Sequence, residues 1–202
     1  MPNNRYIEET HQYFSDDREL PSVTTIISAV GLNPLLDVVS AETLRVAAER
    51  GRIVHQYADW HEGGILDETS IDPELAGYFG GYLAARDHGE LPFPAVRECR
   101  LFCTKWGYAG TLDQLIDGDW INDIKTGQRG EEHGLQLSAY WLACVGNLND
   151  KPRRLTCTYL TRDGNYEVRD YEYVPLQWLT VLNFYKILAN MGRIKPRWQM
   201  SN

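Results

Sequence analysis

The sequence predicts an α/β (α+β) fold, a mixed central β-sheet flanked by helices. Two observations predict it. Strand-like segments at residues 95–104, 108–116 and 120–125 follow one another with only turn residues between them. A helical segment at 131–145 then separates them from two more strand-like segments, and further helical patterns precede and follow the set. Strands in that order form one sheet whose faces must be covered by the helices.

Each element has a local reason. Residues 6–15 alternate imperfectly around Tyr13-Phe14 and read as an opening hairpin or an extended arm, ending at the Asp16-Asp17 turn. Ser22 is an N-cap for a short helix that ends near Gly31. Ser40 caps a longer helix from Ala41 to about His61, with Leu44, Ala47, Ala48, Val54 and Ala58 roughly at helical spacing. Pro73, at a first-turn position, opens a helix to about Asp87 that stops near Gly89. Gly107 and Asp117-Gly118-Asp119 mark the turns between the three strands. Strands at 154–161 and 166–173 flank Asp163-Gly164-Asn165, and Pro175 opens a final helix to about Met191.

Composition bounds the chemistry. The 202 residues read as a single domain, 1–202, with 43% hydrophobic and 24% charged residues. No apolar run reaches the roughly 18 residues of a membrane span. The polar start, Met1-Pro2-Asn3-Asn4-Arg5, lacks an apolar signal core, so a cytoplasmic protein is expected. Cys99, Cys103, Cys144 and Cys157 then read as small buried apolar residues rather than disulfides or a metal cluster. The net charge of −8 weighs against a nucleic-acid partner, although a basic groove can coexist with an acidic exterior and a metal site itself needs carboxylates. No G-x-x-x-x-G-K-[ST] run is present, so ATP hydrolysis is not expected.

The informative stretch is Gly110-Thr111-Leu112-Asp113 followed by Asp123-Ile124-Lys125-Thr126-Gly127. Residues two apart on a strand share a face, so Asp123 and Lys125 project together while Ile124 turns away. Residue 118 is the midpoint of 113 and 123, so a hairpin turning there brings Asp113 beside Asp123. Two converging carboxylates suit Mg²⁺ or Mn²⁺, and Glu98 on the preceding strand offers a further oxygen ligand. Such an ion activates water and binds a phosphate, while Lys125 offsets the charge that develops.

Together these motifs resemble the PD-(D/E)XK nuclease superfamily, especially its RecB-like and phage-type exonuclease branches. The matching pieces, in the family's order, are Gly51 to His55 (G-x-x-x-H), Glu98, Gly110 to Asp113 (G-x-x-D), Asp123 to Gly127 (D-x-K-T-G) and Gln136 to Tyr140 (Q-x-x-x-Y). The resemblance spans about residues 20 to 175 and implies a restriction-endonuclease-like core. It implies that Asp113 and Asp123 are metal ligands, that Glu98 and His55 assist them, and that Lys125 is the catalytic lysine. It also implies that Gln136 and Tyr140, four apart on one helix face, line the site and contact DNA. Both also have a packing alternative. Thr126-Gly127 either lets backbone amides approach a phosphate or ends the strand.

The chain departs from the family in places. Leu112 stands where the eponymous proline would be, and the second acid is Asp. Iron–sulfur members carry one cysteine before the core and three after it. Here none precedes residue 99 and only Cys157 follows the Gln136 helix, so no iron–sulfur cluster is expected.

For a DNA surface the sequence offers Arg45, Arg50 and Arg52 on the His55 helix, Arg129 after the D-x-K-T-G strand, and Lys186, Arg193, Lys195 and Arg197 near the C-terminal end. Trp60, Trp106, Trp120 and Trp141 are stacking candidates, with core packing the commoner role. The functional expectation is a Mg²⁺- or Mn²⁺-dependent DNA exonuclease of phage or prokaryotic recombination and repair, in the cytoplasm of a prokaryotic or phage-infected cell. It would act on single- or double-stranded DNA ends. Its small size implies a recombination-protein partner or a homo-oligomer for processivity. A structure- or sequence-specific endonuclease, and a non-catalytic binding module that kept the fold, are the alternatives.

Overall fold

The computed structural model describes residues 2–33 and 39–194. Lys195 and Arg197 lie outside the described residues. Two sheets are present. Strands β1 (Asn4–Ile7), β2 (Gln12–Ser15) and β3 (Arg18–Leu20) form an antiparallel meander. The expected hairpin therefore continues past Asp16-Asp17 into a third strand; Asp16 turns the chain with a φ of 53°.

The central sheet has the order β4-β5-β6-β7-β8, with β4 (Val96–Cys103), β5 (Tyr108–Ile116), β6 (Trp120–Lys125), β7 (Arg154–Leu160) and β8 (Tyr166–Asp170). All pairs are antiparallel except β6–β7. Parallel neighbours need a crossover. Helix α4 (Glu132–Val145) supplies it and ends at Gly146, whose φ of 68° is the left-handed C-cap conformation. The sheet is thus mixed and flanked by helices, as the sequence predicts.

Helices lie on both faces. Helix α1 (Val23–Ala29), α4 and α5 (Pro175–Asn190) bury Ile26, Leu137, Trp178 and Leu182 against Leu112, Ile121 and Leu155. On the other face α2 (Ala41–Glu62) and α3 (Ala76–Asp87) bury Val54, Tyr57, Phe79 and Tyr82 against Ile116, Trp120 and Ile124. Ser22 and Ser40 cap α1 and α2 as expected, each accepting a backbone N–H three residues on at 3.1 Å.

Two boundaries and one apolar pattern differ from expectation. Pro73 lies in a turn, and α3 starts at Ala76. β8 ends at Asp170; the Tyr171 N–H still donates to the Leu155 carbonyl at 2.8 Å, and its hydroxyl donates to the Gly130 carbonyl at 3.0 Å. On α2 the apolar spacing holds only at Val54 and Ala58. Ala48 is exposed and Leu44 and Ala47 are half-buried, because the N-terminal half runs beyond the core that α3 completes.

Candidate metal centre

The hairpin register continues as the sequence requires. Gln114 pairs with Asn122 and Ile116 with Trp120, so Asp113 falls opposite Asp123 on the next rung. The β4–β5 register likewise places Glu98 opposite Asp113. Three carboxylates therefore stand in a row across three neighbouring strands.

At that rung the regular pleat breaks. On β5, Tyr108 and Leu112 face the core beneath α4, yet Gln114 and Ile116 face α3. On β4, Arg97 reaches α2 whereas Cys99, Leu101 and Cys103 face the α4 side. The consecutive residues Arg97 and Glu98 line one small cavity, and so do Asp113 and Gln114. Alternation forbids this in a regular strand. A bulge-like turn in each strand permits it, marked at Glu98 by a φ of 46°. The two irregularities match, so the register is the same on either side of them.

The cavity has a volume of about 10 Å³, room for one water or small ion. The ligand atoms of His55, Glu98 and Asp113 that face it all lie within 4.8 Å of one another. His55 is held by a bond from Nε2 to the Ile124 carbonyl at 2.7 Å, which leaves Nδ1 3.4 Å from Asp113 Oδ2. That oxygen also accepts the Ile124 N–H at 2.7 Å. Asp59, one helical turn beyond His55, completes the rim with Arg97, which it binds at 3.3 Å.

Asp123 and Lys125 share a face, and Ile124 packs on the other. Lys125 Nζ lies 2.5 Å from Asp123 Oδ2 and donates to Gln136 Oε1 at 3.0 Å. The Gln136 amide donates to Asp123 Oδ1 at 3.3 Å and to the Tyr140 hydroxyl at 3.0 Å. Asp123 therefore faces Lys125 and Gln136 and stands outside the mutually spaced trio. Its Oδ2 has no aligned hydrogen bond among the described residues. Gln136 and Tyr140 are buried at 6% and 4% exposure, behind the site.

The electrostatics are those of too much negative charge in too little water. Burial, then the Asp113 carboxylate, pushes Glu98 up to about 7. The same two causes push Asp123 up to about 6 against the pull of Lys125. Burial opposes charge on Asp113 as well, but the His55 imidazolium outweighs it and holds Asp113 below the usual range. Burial likewise works against a charged His55, and Asp113 overrides it, raising the imidazole to about 9. Lys125 is raised, because Asp123 offsets its burial.

The remaining predicted residues lie apart from the cavity. Arg52 and Arg45 are exposed and paired with Glu49 and Glu42 on their own helix. Arg129 pairs with Glu167. Thr126 accepts Arg50 on its hydroxyl at 3.3 Å and on its carbonyl at 3.1 Å. Trp120 and Trp141 are core residues whose indole N–H groups donate to Thr156 and to the Asp150 carbonyl. Sequence reasoning missed Asp59, Arg97 and Gln114. Helical spacing from His55 points to Asp59, whereas strand alternation places Arg97 and Gln114 on the wrong side.

No family model and no curated protein matches the sequence. Among solved structures, the chain is similar to a protein of Eubacterium rectale described as a candidate exonuclease. The identity is 12% and the TM-score 0.54, over 86% of this chain and 79% of that one. A second solved structure matches at 19% identity over 87% of this chain and 89% of that one, with a TM-score of 0.33. The likeness to the first is one of fold alone.

Proposed function

We propose that the protein is a Mg²⁺- or Mn²⁺-dependent deoxyribonuclease of the PD-(D/E)XK type, acting as an exonuclease on DNA ends. The observation that carries this reading is the meeting of His55, Glu98 and Asp113 around an ion-sized cavity, with the Asp123–Lys125 pair on the adjoining strand. The donor set fits a hard divalent ion. Two carboxylates and an imidazole converge, and the second imidazole nitrogen is fixed by a backbone carbonyl, the usual support for a ligand histidine. Asp123, ion-paired with Lys125, stands beside this donor set.

When bound, the ion supplies Lewis-acid polarisation of a phosphodiester and a lowered water pKa. His55, Glu98 and Asp113 would hold it, with Asp123 beside them. Lys125, steadied by Asp123 and Gln136, presents a fixed ammonium that orients the attacking water and offsets charge gathering on the phosphorus. Gln136 orients Lys125 and Asp123 together, so its contribution to DNA handling is indirect. Thr126, Arg52 and Arg129 are the contacts proposed for the DNA backbone. Small size favours a homo-oligomer or a recombination-protein partner for processivity, in phage or prokaryotic DNA metabolism. The structural neighbour's description favours the exonuclease over an endonuclease.

The test is digestion of end-labelled linear single- and double-stranded DNA with Mg²⁺ or Mn²⁺, beside a covalently closed circle. Cleavage of the linear substrates alone, stopped by EDTA, is expected. Cutting of the circle moves the assignment to an endonuclease. Asp113→Asn keeps an acceptor for the Ile124 N–H and should abolish cleavage in a folded protein. Lys125→Ala should slow it by about 10²-fold, the scale of one lost electrostatic stabiliser. Wild-type rates in both variants would remove the nuclease reading and leave a non-catalytic module.

A further inference from the structure

Just past Asp113, the first residue whose side chain faces α3 is Gln114. It is 3% exposed, and both ends of its amide are satisfied. Nε2 donates to the Tyr82 hydroxyl at 2.8 Å, and Oε1 accepts from Asn122 Nδ2 at 2.9 Å. Each partner continues a chain. The Tyr82 hydroxyl donates to Glu62 Oε1 at 2.5 Å, and Glu62 is ion-paired with Arg86 at 2.9 Å. On the other side Asn122 Oδ1 accepts the Thr156 and Thr158 hydroxyls, both at 2.8 Å. One line of buried hydrogen bonds thus runs from α3 and the end of α2 through β5 and β6 to β7.

Gln114 is the member of this line that also lines the metal cavity. It follows Asp113 directly and belongs to the last regular β5–β6 rung before the carboxylate row. Helix α2, anchored at Glu62, carries His55. The line therefore ties together the elements that carry His55, Asp113 and Asp123.

Its energetic effect is on the choice between two strand conformations. In an unbroken pleat continuing from Leu112, Gln114 would face the apolar core beneath α4, and its amide would be buried without partners. An unpartnered buried amide carries a desolvation penalty. The hydrogen bonds to Tyr82 and Asn122 reward the broken pleat, which is the conformation that lets Asp113 face His55.

We propose that Gln114 is a positioning residue, holding the paired break in β4 and β5 so that Asp113 meets His55 and Glu98 at the spacing a divalent ion needs. The proposal rests on the metal-dependent reading above. It makes ion affinity depend on a side chain that is not itself a ligand.

The test is Mn²⁺ binding by calorimetry, beside urea unfolding, on the full chain and three variants. Gln114→Met keeps the length and removes the amide. Tyr82→Phe breaks the same line one link further from the site. Ile116→Val, a buried β5 residue outside the line, is the control for loss of stability alone. Gln114→Met should bind Mn²⁺ about 10- to 100-fold more weakly, the scale seen when a ligand's outer support is lost. Tyr82→Phe should fall in the same direction by less, and it decides the matter alone if Gln114→Met does not fold. Ile116→Val should lose stability and keep wild-type affinity. Unchanged affinity in the folded line variants, or an equal affinity loss in Ile116→Val, overturns the proposal alone. Wild-type protein that takes up no Mn²⁺ overturns it together with the metal reading.

Discussion

Glu98 combines a carboxylate aimed at the cavity with a φ of 46°, a region that costs an ordinary L-residue roughly 1–2 kcal/mol. The backbone and the side chain can be separated experimentally. Both Glu98→Ala and Glu98→Gly should abolish the rise in Tm that Mn²⁺ gives the wild type. Glu98→Gly should be the more stable of the two by about 1 kcal/mol, because glycine alone adopts that φ freely. Equal stabilities in chemical denaturation would show that the backbone relaxes there. His133 is a second residue whose setting makes a measurable claim. Burial first, then the charges of Lys125 and Arg169, push its imidazole down to about 3, and its Nδ1 lies 2.6 Å from the Tyr159 hydroxyl. Glu132, at 3.9 Å, is too distant to reverse this. The unfolded chain takes up a proton near pH 6.5 that the folded protein refuses. His133 therefore costs nothing above pH 6.5, and stability declines as pH falls from there toward 3, by at most about 1.4 kcal/mol per pH unit. His133→Gln should lose less stability than wild type between pH 6.5 and 4 in urea unfolding. Parallel declines would count against a neutral buried imidazole.

Among the elements, α3 packs closely against the turn between β7 and β8, and its glycines explain how. A Cβ on Gly77 would collide with the Arg162 carbonyl, and one on Gly81 would lie 2.9 Å from the Asn165 carbonyl. A Cβ on Gly80 would meet nothing within 4 Å. Gly77→Ala should therefore destabilise the protein by roughly 1–3 kcal/mol through overpacking. Gly80→Ala should stabilise it by about 0.5–1 kcal/mol through helix propensity. Thermal unfolding reads both, and a loss of stability in Gly80→Ala would contradict this packing. The elements also show where sequence reasoning holds. Capping serines, Gly107, Gly118 and Gly164 mark helix starts and strand turns from local chemistry, so β5 and β6 were legible at both ends. The Asp123–Lys125 pairing was legible too, because β6 is regular and period two applies to it. Arg97 and Gln114 were not, because the bulges of β4 and β5 come from long-range contacts with α2 and α3. The start of α3 was missed because Pro73 permits a turn as readily as a first helical turn.

For the whole molecule, the net charge of −8 sets the terms of any encounter with DNA. Arg45, Arg52, Arg129, Arg153, Arg154 and Arg169 are paired with acids of the same chain. Each of these must give up an acid partner before it can release a counterion from a phosphate backbone. End-labelled DNA should then bind measurably only with a divalent ion present, and with a shallow salt dependence equivalent to about three phosphate contacts or fewer. Fluorescence anisotropy of the slow Lys125→Ala variant can measure this; tight binding in EDTA with a steep salt slope would contradict it. Among the described residues, no helix is long and apolar enough to cross a membrane. The order of strands and helices, the hairpin register that sets Asp113 opposite Asp123, and the facing of Asp123 with Lys125 were determined by the sequence itself, since turn chemistry and side-chain periodicity are local. The motif resemblance already grouped His55 and Glu98 with Asp113; tertiary structure alone decided that these three share one cavity while Asp123 stands outside it, against Lys125 and Gln136. The reason is physical: that choice depends on two matched breaks in the pleat, and only helices packed from distant parts of the chain can hold them.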